Sequence, residues 1–242
     1  MSPGGTQAVF FDVGNTLLYP YPSVSHVCEE ILRDAGHVRD VDAIEALMPL
    51  VDRYYEERYR DDDAFWTSEE ATSGVWVGMY SLLCRRLGIE RRAEELAMAV
   101  YDAFGSAERW RAWDDVRPAF ERLRDRGVRV GVISNWDRRL PGLLDGLGLT
   151  DIVEVVVSSA DVGLRKPDPR IFELACQRLG VEAARSAHVG DHLYADVLGA
   201  RTAGLAPVLI DRRGDAQAPD ATPVITTLDD LDRVLDEGAG RA

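Results

Sequence analysis

Five short apolar runs limit what this 242-residue chain can fold into. They occupy residues 8–13, 128–134, 153–159, 186–190 and 206–210. Segments with helical periodicity alternate with these runs from residue 115 onward, at 115–126, 140–147, 169–179, 193–203 and 228–235. Alternation of buried strands with helices is typical of a parallel sheet that has helices on both faces. The sequence therefore predicts an α/β fold with a doubly wound, Rossmann-like parallel sheet.

A long insert separates the first predicted strand from the others. Asp12 ends the first run and Ser134 ends the second, 122 residues later, whereas a βαβ unit needs only ~30 residues. The intervening chain is predicted to form four helices and no strand, at about 24–35, 43–59, 69–87 and 92–104. We expect a core formed by residues 1–19 and 106–242 and an all-helical domain formed by residues 20–105. Such an insert would cover the C-terminal edge of the sheet as a lid.

The chain is strongly acidic, with a net charge of −14 at pH 7. Nucleic acids and anionic membranes bind basic surfaces, so the composition argues against both as partners. No signal peptide is evident at the N-terminus, and no apolar run approaches the ~20 residues that a bilayer requires. The three cysteines form no CxxC pair, which favours a reducing compartment. We expect a soluble cytoplasmic protein, a monomer or a homodimer, that acts on a small molecule.

Polar residues lie at the ends of four predicted strands or in the loops that follow them. They are Asp12 with Asn15 and Thr16, Ser134 with Asn135, Lys166, and Asp191 with Asp196. Because ligands of open α/β sheets bind outside the carboxyl ends of the strands, we expect these side chains to form one site. The carboxylates of Asp12, Asp191 and Asp196 would hold Mg²⁺, which prefers oxygen ligands.

Lys166 is the only lysine among the 28 basic residues of the chain. A compact ammonium group suits a point contact with phosphate. Together with the hydroxyl groups of Ser134 and Thr16, it would bind phosphoryl oxygens and stabilise the charge of the transition state. Asn15 and Asn135 are further candidates for phosphate binding. The sequence thus predicts a phosphoryl-transfer site for a small phosphorylated substrate.

Four motifs make the chain resemble the haloacid dehalogenase superfamily. They are FFDVGNTLL, VISN, RKPDP and GDHLYAD, which begin at Phe10, Val132, Arg165 and Gly190. Their order matches that of the family's four motifs, and the helical insert between the first two is similar to the family's C1 cap. Each motif alone is a weak signal, but the four together are specific.

The resemblance implies a covalent mechanism. Asp12 would be the nucleophile, and its aspartyl intermediate would divide one difficult displacement into two easier steps. Ser134 and Lys166 would position the nucleophile and the phosphate. Mg²⁺ would be held by Asp12, Asp191 and the backbone carbonyl of Gly14, with Asp196 beside them. The expected activity is that of a magnesium-dependent phosphatase for phosphoric monoesters or acyl phosphates.

Gly14 departs from the family's pattern. The phosphatases of the family have a second aspartate at this position, which serves as general acid and base. Such a group contributes ~10²–10⁴ in rate, so the activity is expected to be weak on unactivated esters. A phosphatase without this aspartate suits an acyl, enol or aryl phosphate. Alternatively, the missing acid comes from the insert, for example from His26.

Two other functions stay open. The first is hydrolysis of a non-phosphate substrate, because the haloacid dehalogenases of the superfamily also lack this aspartate. Dehalogenases need no metal, however, and this chain retains both Asp191 and Asp196. The second is a binding protein that kept the pocket and lost turnover. Gly14 is its only support in the sequence.

Some polar residues near the motifs have simpler explanations. His188 and His192 are four residues apart, but His188 lies in a predicted strand, so the two do not share a helix face as a zinc pair would. His192 follows Asp191 directly and is placed to line the pocket. The acidic run 61–63 predicts a solvated turn between two helices of the insert.

Overall fold

The computed structural model describes residues 5–214 and 222–239. Its strands are β1 (Ala8–Phe11), β2 (Leu18–Pro20), β3 (Trp110–Ala112), β4 (Arg129–Ser134), β5 (Val153–Ser158), β6 (Ser186–Gly190), β7 (Ala206–Ile210) and β8 (Val224–Ile225). Six of them form a parallel sheet in the order β5-β4-β1-β6-β7-β8. The predicted doubly wound parallel sheet is therefore confirmed. Residues 1–4, 215–221 and 240–242 of the predicted core lie outside the described residues.

The chain between β2 and β3 is mainly helical. Its α-helices are α1 (Val24–Asp34), α2 (Val41–Glu45), α3 (Met48–Asp61), α4 (Glu69–Arg86) and α5 (Ala93–Ala103). They share an apolar cluster of their own, in which Val27, Leu83 and Ala97 are fully buried. We call this part of the chain, from α1 to α5, the helical segment.

The helix predicted at 43–59 was wrong as a single element, because the structure has α2 and α3 there. Pro49 lies in the first turn of α3. Proline has no N–H, and its ring clashes with the carbonyl group four residues earlier, so a helix cannot continue through it from α2. In a first turn the missing N–H costs nothing. Proline therefore begins α3 where the periodicity alone suggested continuity.

Helices cover both faces of the parallel sheet. They are α6 (Val116–Asp125), α7 (Leu140–Gly146), α8 (Ser159–Val162), α9 (Pro169–Leu179), α10 (Gly199–Thr202) and α11 (Leu231–Ala239). Alternate residues of β1 point to opposite faces. Phe11 packs on Phe120 of α6, with ring centroids 5.0 Å apart, whereas Phe10 joins the cluster of Phe172 on α9. β1 is buried on both faces, which explains its continuous apolar sequence.

The helix predicted at 193–203 is divided into a π-helix, Leu193–Leu198, and α10. The Nδ1 atom of His192 accepts hydrogen bonds from the N–H groups of Tyr194 and Ala195, and the Val197 N–H reaches the His192 carbonyl. These contacts widen the first turn. Short π-helices occur often at functional sites.

Strands β2 and β3 form a two-stranded antiparallel ribbon that the sequence did not predict. Leu18 pairs with Ala112, and Pro20 pairs with Trp110. The two connections between the helical segment and the parallel sheet therefore run side by side.

The helices of the described residues include none that is long and apolar enough to cross a membrane. The three cysteines, Cys28, Cys84 and Cys176, are buried free thiols.

Candidate active site

Asp12 is the first residue after β1, the strand at which the sheet order reverses. Its N–H donates to the carbonyl group of Val189 in β6 at 2.9 Å, so the backbone of Asp12 still follows the sheet. Chain connections leave β1 toward β4 on one side and arrive at β6 on the other, which defines the topological switch point. The side chain of Asp12 therefore lies where a ligand of this fold is expected.

Lys166 is buried and joins two of the predicted carboxylates. Its Nζ donates to Oδ1 of Asp12 at 2.6 Å and to Oδ1 of Asp196 at 2.5 Å. The Ser134 hydroxyl also donates to Oδ1 of Asp12, at 2.9 Å. Within the described residues, Oδ2 of Asp12 accepts no hydrogen bond. One oxygen of Asp12 is thus fixed, and the other is available for chemistry.

Asn135 holds the backbone of Lys166. Its Oδ1 accepts from the Lys166 N–H at 2.8 Å, and its Nδ2 donates to the Lys166 carbonyl at 3.1 Å. This positioning contact was not predicted from the sequence. It leaves the second N–H of the Asn135 amide for the predicted contact with phosphate.

Asp196 is buried, and protein donors contact both of its carboxylate oxygens. Oδ1 accepts from Lys166 and from Nε2 of His188, at 2.8 Å, and Oδ2 accepts from the N–H of His192 at 3.0 Å. A Cβ atom on Gly190 would overlap Cγ of Asp196. Glycine is therefore required at position 190 for this carboxylate to pack over the end of β6.

The charges of the site are strongly coupled. Burial alone would lower the pKa of Lys166, but the carboxylates of Asp12 and Asp196 raise it above its usual value. Burial would raise the pKa of Asp196, yet Lys166 and His188 hold it below its usual value. Burial, followed by the charges of Asp12 and Asp196, raises the pKa of Asp191 to about 8. Burial lowers the pKa of His188, so this imidazole is neutral and Lys166 is the cation that these carboxylates share.

The carboxylates of Asp12, Asp191 and Asp196 are close enough to hold a metal ion together. One oxygen from each lies within 4.8 Å of the others. Three carboxylates beside one lysine carry an excess of negative charge that a divalent cation would neutralise, and oxygen is the donor that Mg²⁺ prefers. The donor set fits Mg²⁺ on these grounds. The contribution of the Gly14 carbonyl stays a prediction.

The remaining predicted residues of the first motif differ in their surroundings. Asn15 is exposed and has a φ of 55°, in the left-handed region. The hydroxyl group of Thr16 is fully buried and has no hydrogen-bond partner among the described residues. At Gly14 a Cβ atom would lie 3.5 Å from the ring of Trp136, an ordinary contact. The backbone therefore does not demand glycine at position 14.

The helical segment contacts the loop that follows Ser134. Glu69 of α4 accepts from the N–H of Arg138 at 2.9 Å, and the Tyr101 hydroxyl lies 3.0 Å from Oε1 of Glu69 and 3.1 Å from Oδ2 of Asp137. Asp137 is buried and forms an ion pair with Arg139 at 2.6 Å. These contacts fix the helical segment on the loop that follows Ser134 and were not predicted.

A second contact joins the helical segment to the loop that contains Lys166. Arg165 forms an ion pair with Asp63, which lies in the short 3₁₀ helix between α3 and α4. His26, named above as an example of a residue of the insert that would supply the missing acid, is exposed, and its ring contacts the hydroxyl group of Ser23.

The sequence and the fold place the chain in a known family. The sequence of residues 6–204 matches the sequence model of one protein family, the haloacid dehalogenase-like hydrolases. The chain therefore belongs to the haloacid dehalogenase-like hydrolases, and it is a hydrolase.

Individual proteins show the same relationship. The chain is 32% identical to haloacid dehalogenase-like hydrolase domain-containing protein 3 of Danio rerio over 92% of this chain and 93% of that one. It is 32% identical to the glyceraldehyde 3-phosphate phosphatase of Methanopyrus kandleri over 87% of this chain and 86% of that one. Among solved structures, the HAD-hydrolase YfnB from Bacillus subtilis, crystallised with magnesium, superposes with a TM-score of 0.79 at 18% identity, covering 96% of this chain and 99% of that one. The last similarity shows the fold.

Proposed function

We propose that the protein is a magnesium-dependent phosphatase that hydrolyses a small phosphate monoester or acyl phosphate through a phosphorylated Asp12. The observation that carries this proposal is the asymmetry of the Asp12 carboxylate, whose Oδ1 is held by Lys166 and Ser134. Oδ2 accepts no hydrogen bond among the described residues and is therefore the attacking oxygen. The phosphatase name of the M. kandleri relative supports the same activity.

The reaction proceeds in two displacements. Oδ2 of Asp12 attacks phosphorus, the bond from phosphorus to the leaving oxygen breaks, and the leaving group departs with its electron pair. Water then attacks the phosphorus of the aspartyl phosphate and the bond from phosphorus to Oδ2 breaks, which releases inorganic phosphate and the Asp12 carboxylate; the proton that the water loses goes to solvent and balances the one that the departed alkoxide takes up. Lys166 stabilises negative charge on the phosphoryl oxygens, and Asn135 keeps Lys166 in place through its backbone.

Mg²⁺ would be held by Asp12 and Asp191, where it would reduce the repulsion between the carboxylates and the substrate phosphate. Asp196 would act on the metal site indirectly, through Lys166, because its oxygens already accept hydrogen bonds from Lys166, His188 and the His192 N–H. We propose that the residues 20–105 act as a cap over this site. Their contacts at Glu69 and Asp63 with the two motif-bearing loops support that role.

No carboxylate is present at Gly14 to protonate the leaving group. Among the described residues His26 contacts Ser23 and forms no hydrogen bond with a residue of the site, so we do not assign this role to it. We therefore expect the rate to depend strongly on the leaving group, with acetyl phosphate and p-nitrophenyl phosphate hydrolysed faster than alkyl phosphates.

The second candidate is hydrolysis of a haloacid, and Gly14 is the residue that favours it. The excess of carboxylates at Asp12, Asp191 and Asp196 counts against this candidate, because a haloacid is itself an anion and the reaction needs no metal.

One experiment tests both candidates. Purified protein is incubated with p-nitrophenyl phosphate, acetyl phosphate or 2-chloropropionate, with Mg²⁺ or with EDTA, and phosphate and chloride are measured. Acid-quenched samples are treated with hydroxylamine, which releases phosphate from an acyl phosphate on Asp12. Phosphate release that is lost with EDTA supports the phosphatase. Chloride release without metal dependence identifies the dehalogenase and overturns the proposal. Release of neither phosphate nor chloride, at concentrations where a competent enzyme of either class would release its own product, overturns both activities and points to a binding protein.

A further inference from the structure

A cavity of about 600 Å³ lies beside the carboxylates, between the end of α3 and the turn after β6. We call it the α3 cavity. Tyr59 and His192 face each other in its lining, with ring centroids 5.6 Å apart. It adjoins the site because His192 follows Asp191 in the chain and donates its N–H to Asp196. Its volume is in the range of small-molecule pockets. Burial raises the pKa of Tyr55, which lines the cavity, and the charges of Asp12 and Asp191 add to this rise, so the cavity lies close to the proposed nucleophile.

Two polar side chains in the lining of the α3 cavity can bond with a ligand. The hydroxyl group of Tyr59 is buried and has no hydrogen-bond partner among the described residues. Nδ1 of His192 accepts from two backbone N–H groups, at 3.2 and 3.1 Å, so Nε2 is the ring nitrogen that can donate to a ligand. Buried polar groups are nearly always paired in folded proteins. The hydroxyl group of Tyr59 is therefore available to a ligand that enters the cavity.

The charge of the lining decides what kind of ligand fits. Glu56, Asp61 and Asp62 contribute negative charges, and Arg60 contributes a positive one. Asp63 also lines the cavity, but its charge is balanced by Arg165. The lining therefore carries a net negative charge that repels a second anionic substituent and attracts a cation. The tyrosine rings of the lining add a favourable surface for an ammonium group.

We propose that the α3 cavity receives the alcohol part of the substrate and selects phosphate monoesters of amine-bearing alcohols over those that carry a second anion. This inference rests on the proposed phosphatase activity and adds the chemical class of the substrate.

The test compares three substrates of the same length that differ in one terminal group. Phosphoethanolamine ends in an ammonium group, 2-hydroxyethyl phosphate in a hydroxyl group and phosphoglycolate in a carboxylate. We expect kcat/KM to fall in that order, with about fivefold or more between the first and the last at low salt. An equal or higher kcat/KM for phosphoglycolate would overturn the inference.

Variants separate the charge of the cavity from the intrinsic reactivity of the substrates, because the ammonium group also makes ethanolamine a better leaving group. The double variant Asp61→Asn and Asp62→Asn removes two charges of the lining. An asparagine at position 62 can still accept the hydrogen bond that Asp62 now accepts from the Ala64 N–H. The matched control is Glu57→Gln with Glu70→Gln, two exposed residues outside the lining.

The inference requires that the ratio of kcat/KM between phosphoethanolamine and phosphoglycolate fall several-fold in the Asp61 and Asp62 variant and stay unchanged in the control. An equal change in both would assign the effect to net charge and overturn the role of the cavity. If all three esters turn over too slowly to measure while p-nitrophenyl phosphate is hydrolysed, their inhibition constants against p-nitrophenyl phosphate give the same comparison, and a constant for phosphoglycolate equal to or lower than that for phosphoethanolamine overturns the inference while the proposed function stands. If p-nitrophenyl phosphate and acetyl phosphate are inert as well, the proposed function fails and this inference fails with it.

Discussion

Lys166 lies between Asp12 and Asp196 and donates from one Nζ to both carboxylates, at 2.6 and 2.5 Å. The ammonium group is buried, so its charge is compensated by these two partners and not by water. A charge that loses its partners in such a place is costly to the folded state. The nucleophile and the stability of the sheet edge therefore depend on the same lysine.

Lys166→Met is expected to lower the free energy of unfolding by about 3–5 kcal/mol, because it leaves two buried carboxylates without their cation. Urea unfolding measures this change. The control is Arg233→Met, which removes an exposed ion pair with Glu237 and should cost at most about 0.5 kcal/mol. Similar losses in the two variants would show that Lys166 is not needed for stability.

Asp12→Asn is expected to reduce phosphate release to background while the melting temperature and the circular dichroism spectrum stay close to those of the unchanged protein. The amide oxygen of asparagine can still accept from Lys166 and Ser134 at the Oδ1 position, but the amide lacks the nucleophilic carboxylate oxygen. Substantial turnover by this variant would remove Asp12 from the mechanism.

The parts of the fold that the sequence predicted are those with strong local patterns. Strands β1, β4 and β6 are buried on both faces, so the sequence of each is a short run of mainly apolar residues. Strands β2, β3 and β8 have two or three residues, too few for a periodicity. The break between α2 and α3 depends on Pro49, whose position in a first turn is visible only once both helices are placed.

The contacts of the site can also be divided into those that the sequence predicted and those that it did not. Asp12, Ser134, Lys166 and Asp191 were predicted because each directly ends a strand or belongs to a motif. The contact between His188 and Asp196 crosses the turn after β6, and the group formed by Tyr101, Glu69 and Asp137 depends on how the helical segment lies on the sheet. No sequence motif or periodicity links the residues that form such contacts, so the contacts could be identified only from the structure.

The contribution of Asp191 to the stability of the metal-free protein is expected to fall as the pH rises from about 4 to about 8, opposite in sign to that of buried His188, whose pKa is lowered. An unfolded aspartic acid has a pKa of about 3.9, whereas the folded state raises the pKa of Asp191 to about 8. Between these values the folded protein binds a proton that the unfolded chain has released, so unfolding becomes easier with rising pH. Urea unfolding in EDTA across this range measures the slope.

Asp191→Asn provides the control for this slope, because it removes the titrating group and keeps the shape of the side chain. The difference in unfolding free energy between the unchanged protein and the variant should therefore become less favourable to the unchanged protein as the pH rises from about 4 to about 8. Added Mg²⁺ should stabilise the unchanged protein most at high pH, where Asp191 is ionised. A slope that is the same with and without the Asp191 carboxyl would contradict the raised pKa.

Asn135→Ala is expected to lower kcat more than it raises KM, because the Asn135 amide holds the backbone of Lys166 and not the alcohol part of the substrate. The loss of two hydrogen bonds should also cost about 1–3 kcal/mol of stability. Steady-state kinetics with p-nitrophenyl phosphate separates the two parameters. A change in KM alone would show that Asn135 acts in substrate binding.

Gly14→Asp is expected to increase kcat/KM for alkyl phosphates by about tenfold or more, since a positioned general acid contributes ~10²–10⁴ in rate. The first side-chain atom fits, because it would lie 3.5 Å from the ring of Trp136 and the backbone of Gly14 is not left-handed. p-Nitrophenyl phosphate should gain much less, because its leaving group departs without protonation. The measurement is the ratio of kcat/KM between the two substrates.

Gly14→Asn is the control that separates the effect of a proton donor at position 14 from the effect of a larger side chain there. Asparagine has nearly the same size as aspartate and meets the same ring of Trp136, but it cannot donate the proton of a carboxylic acid. If only the aspartate variant gains activity on alkyl phosphates, the absence of an acid at position 14 limits the rate of the natural protein. If neither variant gains, another group already protonates the leaving oxygen, and the dependence on activated substrates should be absent from the unchanged protein as well.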